Sequence, residues 1–328
     1  MDKSPTNPLV AVGIVGGGAA GMSCALWLKH LGYTPFIIEQ STKLGGQLLH
    51  LNRVNRWVLG AQNKTSAELA DLYADHVSNE AISIKCNAEL IAVKANQSGY
   101  DLIVEEPDRT TSSLSVRALV IATGVRTLTH EVFTDIPEFQ PLYAAGLISF
   151  FPISHVEKVA ELQGKTVAVI GGGDNAHFTA KDVALAGART YLLMRSRPKA
   201  RNTVRKEVEM LIRQGLIIER TGTLVSAFRQ HQDGIEIALQ KSDAVIERIN
   251  VDVIFARIGF AANTEFLGAF DAFSGIAKES GYLSTDSAKR TSIPWVYAIG
   301  DVANSKHQSI VSAIADGAIA AQDLSERE

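Results

Sequence analysis

Two stretches of the chain repeat one pattern of apolar and polar positions. Residues 9–21 (LVAVGIVGGGAAG) and 165–176 (KTVAVIGGGDNA) each run from an apolar stretch into a glycine turn and then into small residues. A second apolar stretch follows each, at residues 34–39 (TPFIIE) and 189–194 (RTYLLM). Short apolar runs bounded by glycine suit strands buried on both faces of a parallel sheet. Strand, glycine turn, helix and strand together make a nucleotide-binding α/β unit. Beyond each unit lie period-2 segments with turn signals, at residues 82–105 and 223–240. The expectation is an α/β protein with two Rossmann-like dinucleotide-binding domains. From about Phe260 the chain returns to the first unit, which predicts residues 1–124 and 259–328 as one discontinuous domain. Residues 125–258 form the second, inserted into the first.

Bulk properties narrow the class. A length of 328 residues accommodates two cores, and 46% hydrophobic with 20% charged residues is the mixture of a globular protein. The formal charge of −3 argues against a general nucleic-acid binder. No stretch is apolar and long enough to suggest a membrane span. The N-terminal MDKSPTNP lacks the apolar core of a signal peptide, so a cytoplasmic location is expected. Two cysteines, Cys24 and Cys86, exclude a disulfide scaffold and a four-cysteine metal site.

Gly16, Gly18 and Gly21 space a G-x-G-x-x-G between strand and helix. The first glycine permits the tight turn, the second lets backbone N–H groups approach a pyrophosphate, and the third lets helix and strand pack closely. Ala19 and Ala20 open the helix, and Glu39, followed by Gln40, ends the next strand, where a carboxylate can accept from ribose hydroxyls. In the second unit Gly171, Gly173 and Ala176 make a G-x-G-x-x-A around Gly172, Asp174 and Asn175. The strand there ends in Met194, followed by Arg195, Ser196 and Arg197, with no carboxylate for a ribose diol. Arginine at that point suits the 2′-phosphate of NADPH. Arg189, Arg195, Arg197, Lys199, Arg201, Arg205 and Lys206 form a basic run without an acid. Its outer members are either a solvated helix face or a dock for an acidic protein.

At this point the chain resembles the low-molecular-weight thioredoxin reductase family of two-dinucleotide flavoproteins, over nearly its whole length. Lys43-Leu44-Gly45-Gly46-Gln47 is similar to the family's segment beside the flavin, and Val120-Ile121-Ala122-Thr123-Gly124 to its ATG strand end. Residues 293–301, ending in Gly300-Asp301, resemble its second FAD fingerprint, and His307-Gln308-Ser309 fall at the pyrimidine edge. The resemblance implies FAD at these positions and a homodimer. It also makes Arg201 a further 2′-phosphate contact, and it likens Ile258-Gly259 and the residues through Thr264 to the crossover back to the FAD domain, without the family's proline.

The family's Cys-x-x-Cys is missing: residues 141–165 contain no cysteine. Cys24 is expected to be a core residue. Phe150-Phe151, ahead of the helix-like HVEKVAEL, resembles the aromatic pair of thioredoxin-reductase-like ferredoxin–NADP⁺ reductases, although such a pair is also common core. Those reductases carry a tail beyond the last helix, whereas this sequence runs to Ser325-Glu326-Arg327-Glu328. Three functions stay open. The first is an NADPH-dependent reductase of an acidic electron carrier such as ferredoxin or flavodoxin. The second is an NADPH oxidase or small-molecule reductase with an exposed flavin, and the third is a nucleotide-binding sensor. No protein acid or base is expected in the hydride step, which the cofactors carry.

Overall fold

A computed structural model describes residues 10–51, 53–152, 154–231, 234–241 and 244–327. The N-terminal octapeptide read for targeting lies outside them, as does Glu328. The chain divides into two compact units, residues 1–126 with 261–328, and residues 127–260.

The first unit is built on a five-stranded parallel sheet. Ala11–Val15 pairs on one side with Thr34–Ile38 and on the other with Ala118–Ile121, while Ser83–Lys85 and Val296–Ala298 form the edges. The apolar runs have their cause here. Val12, Ile14, Val120, Ile37 and Tyr297 pack with Cys24, Ala25 and Leu28 of the helix Ala19–His30, and with Ala320, Ala321 and Leu324 of the last helix, Ile310–Arg327. The other face (Ile38, Leu119, Ile121, Ala298) packs on the antiparallel sheet Glu89–Asn96, Gly99–Glu105 and Thr111–Val116. Gly317 lets the last helix approach the first: a Cβ on it would lie 2.6 Å from the Ala20 carbonyl oxygen.

The second unit repeats the plan. Thr166–Ile170 lies between Arg189–Met194 and Val253–Ala256, with Ile217–Thr221 and Ile148–Ser149 outermost, all parallel. The helices Asp174–Leu185 and Asn202–Arg213 cover one face, and the antiparallel strands Leu224–His231, Gly234–Lys241 and Ala244–Val251 supply the other core with Phe133, Phe139 and Phe150. The expected helix HVEKVAEL is instead a short helix, Ser154–Lys158, running into a 3₁₀ turn, Val159–Leu162. Among the described residues no helix is long and apolar enough to cross a membrane.

Candidate dinucleotide sites

The strand Ala11–Val15 delivers the chain to Gly16, whose φ of 108° favours glycine. A Cβ on Gly16 would lie 2.4 Å from the Ala122 carbonyl oxygen, and one on Gly21 2.0 Å from that of Gly16. Both positions therefore exclude a side chain for reasons internal to the fold. Gly18 differs, because a Cβ there would meet nothing within 4 Å. Its backbone is extended, and it caps the helix Ala19–His30 with no side-chain partner and no acid in the first turn. The N–H groups of Ala19, Ala20 and Gly21 lack intrahelical acceptors, so this end is electropositive and faces open space, the arrangement that receives an anion.

Several predicted residues gather around this turn. Gly45 N donates to Gly17 O at 2.9 Å, and a Cβ on Gly46 would come within 3.2 Å of Gly18 Cα. Gln47 donates through Nε2 to Val125 O at 2.6 Å. Glu39 is buried, and its carboxylate accepts from Gly17 N at 2.6 Å and from Ser41 N at 2.7 Å. It thus fastens the turn and has lone pairs to spare, while Gln40 beside it is exposed. Ala122 N donates to Val15 O at 2.8 Å. Thr123 donates to Asn263 O and accepts from Asn263 Nδ2, both at 2.8 Å, and Gly124 O accepts from Asn263 N at 3.0 Å. Asn263 is visible in the sequence only as part of a family segment, and here it locks the Ala122–Gly124 turn.

Gly300 packs on the same helix end, since a Cβ on it would lie 2.8 Å from that of Ala20. Asp301 follows, and its Oδ1 is buried without a hydrogen-bond partner among the described residues. Burial, reinforced by the charge of Asp316, pushes its carboxyl up to about 6. Asp316 is itself engaged, accepting from Gly300 N at 3.1 Å and pairing with Lys289 at 2.7 Å. A buried acceptor left open beside an electropositive helix end fits a ligand that carries both hydroxyl and phosphate groups. These residues fit an FAD. His307, Gln308 and Ser309 are exposed, and their hydrogen bonds are with Asn304 (2.9 Å from His307 N), Tyr282 (3.4 Å from Gln308) and Ser312 (3.1 Å, where Ser309 caps the last helix).

The second turn repeats the first. Gly171, at φ 145°, would place a Cβ 2.1 Å from Arg257 O and 3.2 Å from the Cβ of buried Ala176. Gly172 backs on Met194, and Gly173, which a Cβ would leave without a neighbour within 4 Å, caps the helix Asp174–Leu185 with no side-chain partner. Asn175 lies in its first turn, half-buried. Arg195, Ser196 and Arg197 are exposed just past the strand Arg189–Met194, and neither arginine forms an ion pair among the described residues. Arg201 is in a different position. Its N donates to Asp174 Oδ1 at 2.8 Å and its guanidinium pairs with Oδ2, so the charge expected for a 2′-phosphate is committed to the first acid of the helix. Arg205 is likewise committed, to Glu209 and Glu219. Gly259 has a φ of 110°, and the carbonyl of this residue after Ile258 accepts from Leu128 N at 3.0 Å.

The aromatic pair divides: Phe150 joins the core with Phe133 and Phe139, whereas Phe151 is 60% exposed. Cys24 is fully buried, its thiol pushed up to about 12 by burial, and Cys86 is half-buried just past the strand Ser83–Lys85.

Comparison with known proteins agrees with this geometry. The model of the pyridine nucleotide-disulphide oxidoreductase family matches residues 10–317. A component of the alkyl hydroperoxide reductase of Pseudomonas aeruginosa is 26% identical over 93% of this chain, which spans only 56% of that longer protein. Ferredoxin–NADP reductase 2 of Latilactobacillus sakei is 25% identical, with 97% of this chain and 93% of that one aligned. The crystal structure of T. acidophilum thioredoxin reductase superposes with a TM-score of 0.79 over 96% of this chain and 97% of that one, at 24% identity, and so shares the fold. The chain belongs to the pyridine nucleotide-disulphide oxidoreductase family, whose members related to it are NAD(P)H-dependent flavoprotein oxidoreductases that use FAD and NADPH.

Proposed function

We propose that the protein binds FAD on its first unit and NADPH on its second, and delivers electrons to a one-electron carrier protein rather than to a disulfide. The observation that carries the flavin half is the pairing of the open helix end at Gly18 with the unpartnered Oδ1 of Asp301. FAD and NADPH supply the chemistry, a hydride passing from nicotinamide C4 to flavin N5. The chain's part is to hold and orient. Helix N–H groups at Ala19–Gly21 take the pyrophosphate, Glu39 a ribose, and Asp301 the ribityl hydroxyls. In the second unit Gly171–Gly173 and Asp174–Ala176 take the other pyrophosphate, and Arg195 and Arg197 the 2′-phosphate, with Arg201 acting through Asp174.

Two observations support a carrier as acceptor. The dithiol route has no chemistry to use, since exchange needs a thiolate beside a disulfide, and Cys24 is sealed in the core. Secondly, from Glu39 to Glu68 the chain carries Lys43, Arg53, Arg56 and Lys64 and no intervening acid, next to exposed Trp57 and Leu59. Arg56 and Lys64 form no ion pair among the described residues, a surface suited to an acidic partner. An acceptor panel tests the proposal. FAD-loaded protein with NADPH is offered, in turn, a [2Fe–2S] ferredoxin, a flavodoxin, thioredoxin and dioxygen. Turnover with a carrier is expected. Rapid thioredoxin reduction would overturn the proposal, turnover with dioxygen alone would make the protein an oxidase, and no turnover at all would leave a sensor.

A further inference from the structure

The strand order of the second unit orients a bound dinucleotide. Thr166–Ile170 has Arg189–Met194 on one side, and Val253–Ala256 followed by Ile148–Ser149 on the other. A dinucleotide lies across the carboxyl ends of such strands where their order reverses. With its adenosine half at Arg195 and Arg197, its nicotinamide half runs toward Val253–Ala256 and Ile148–Ser149.

At that end lies a side chain with no role so far. Arg257, the first residue past Val253–Ala256, is 6% exposed. Its Nε donates to Thr179 Oγ1 at 3.1 Å, its Nη1 to the carbonyls of Ser149 and Ala256 at 3.0 Å, and its Nη2 to Ser154 Oγ at 3.2 Å. All four acceptors are neutral, and Arg257 forms no ion pair among the described residues. Two acids of the helix packed against it have partners of their own: Asp174 pairs with Arg201, and Asp182 with His155 at 3.0 Å. Burial lowers the Arg257 pKa to about 9, which still leaves it charged at neutral pH. A buried cation without a counter-charge is costly, and such charges are normally paired. Gly171, the first glycine of the turn, packs directly on the Arg257 carbonyl. The same guanidinium ties Ser149 to Ser154 across the turn that leaves Phe151 in solvent.

We propose that Arg257 is a positioning residue for the nicotinamide half of the dinucleotide. Its buried positive charge answers the charge of the bound pyrophosphate, and its hydrogen bonds fix the Ser149–Ser154 turn at that end of the site. The proposal rests on the NADPH reading of the second unit and adds to it a determinant apart from the 2′-phosphate arginines.

Two ligands separate the halves of the site. Adenosine 2′-monophosphate fills only the adenosine half and has no 5′-phosphate, and tetrahydro-NADP is a whole dinucleotide with a neutral ring that gives no hydride. Their affinities for FAD-loaded protein are measured by calorimetry for wild type, Arg257→Met and Arg257→Lys. Arg257→Met should weaken tetrahydro-NADP about tenfold or more, since one desolvated charge acts on the pyrophosphate at low dielectric. It should leave adenosine 2′-monophosphate within about twofold, and Arg257→Lys, whose buried ammonium gives up its proton more readily than a guanidinium, should recover part of the loss at about pH 6 and less at about pH 8. Equal losses for both ligands would show a general disturbance of the unit and overturn the proposal. Unchanged tetrahydro-NADP affinity would overturn it while leaving the NADPH reading intact. Absence of binding to wild type would overturn both. Should Arg257→Met fail to fold, Arg257→Gln, polar but uncharged, carries the same comparison.

Discussion

Asp301 sits where its neutral form is favoured, and that has a measurable consequence. Its carboxyl is raised from 3.8 to about 6, first by burial and then by Asp316. A folded pKa above the unfolded one means that the folded state binds the proton more tightly. The contribution of Asp301 to stability is therefore fully present below about pH 4, is lost as pH rises from about 4 to about 6, and stays lost above. A shift of about 2 units corresponds to about 3 kcal/mol. Asp301→Asn removes the charge and keeps a carbonyl acceptor. Flavin-free protein with this substitution should be more stable than wild type by about 1–3 kcal/mol at pH 7.5 and nearly equal to it at pH 4. FAD should reverse the ranking, because a ribityl hydroxyl donating to Asp301 offsets the cost that the free carboxylate bears, and a charged acceptor takes that bond more strongly. Urea unfolding followed by tryptophan fluorescence, at both pH values and with or without FAD, measures this. A flavin-free variant no more stable than wild type at pH 7.5, or a gap independent of pH, would refute the reasoning.

Other substitutions read different parts of the account. Arg195→Ala should weaken NADPH about 10- to 150-fold, the loss of one charge-assisted hydrogen bond, and affect NADH far less; equal losses in titrations of the two would remove the 2′-phosphate role. Gly18→Ala should fold normally, because its Cβ meets nothing within 4 Å, yet lose FAD affinity at least about tenfold by filling the space for the pyrophosphate. Gly21→Ala should impair folding itself, with its Cβ 2.0 Å from a carbonyl oxygen, so that thermal melting of the two flavin-free variants separates ligand space from backbone space. A Cys24→Ala, Cys86→Ser double variant should keep NADPH-to-dye activity, and loss of activity in a folded variant would reopen a thiol mechanism.

The α/β architecture was legible in the sequence because its signals are local. An apolar run of five residues followed by glycine can be recognised without knowing its neighbours, and Gly16, Gly21 and Gly171 are required by backbone contacts that the motif itself encodes. Side-chain commitments were not legible, because they depend on partners distant in the chain. Arg201 is bound to Asp174, 27 positions earlier, and no spacing rule distinguishes it from Arg197. Asn263 locks Thr123 from 140 positions away. Phe150 and Phe151 are adjacent and chemically identical, yet one faces the core and the other solvent, as alternation along an extended segment dictates once its start is known. Arg257 carried no signal at all: an arginine after an apolar strand suggests a surface position, and only the packed structure shows it buried.

Anaerobic titration of the FAD-loaded protein tests the central claim most directly. With NADPH, flavin absorbance near 450 nm should bleach with one equivalent per flavin, and NADH should require far higher concentrations, as the unpaired Arg195 and Arg197 dictate. Bleaching by neither nucleotide, or a protein that holds no FAD after reconstitution, would contradict the account.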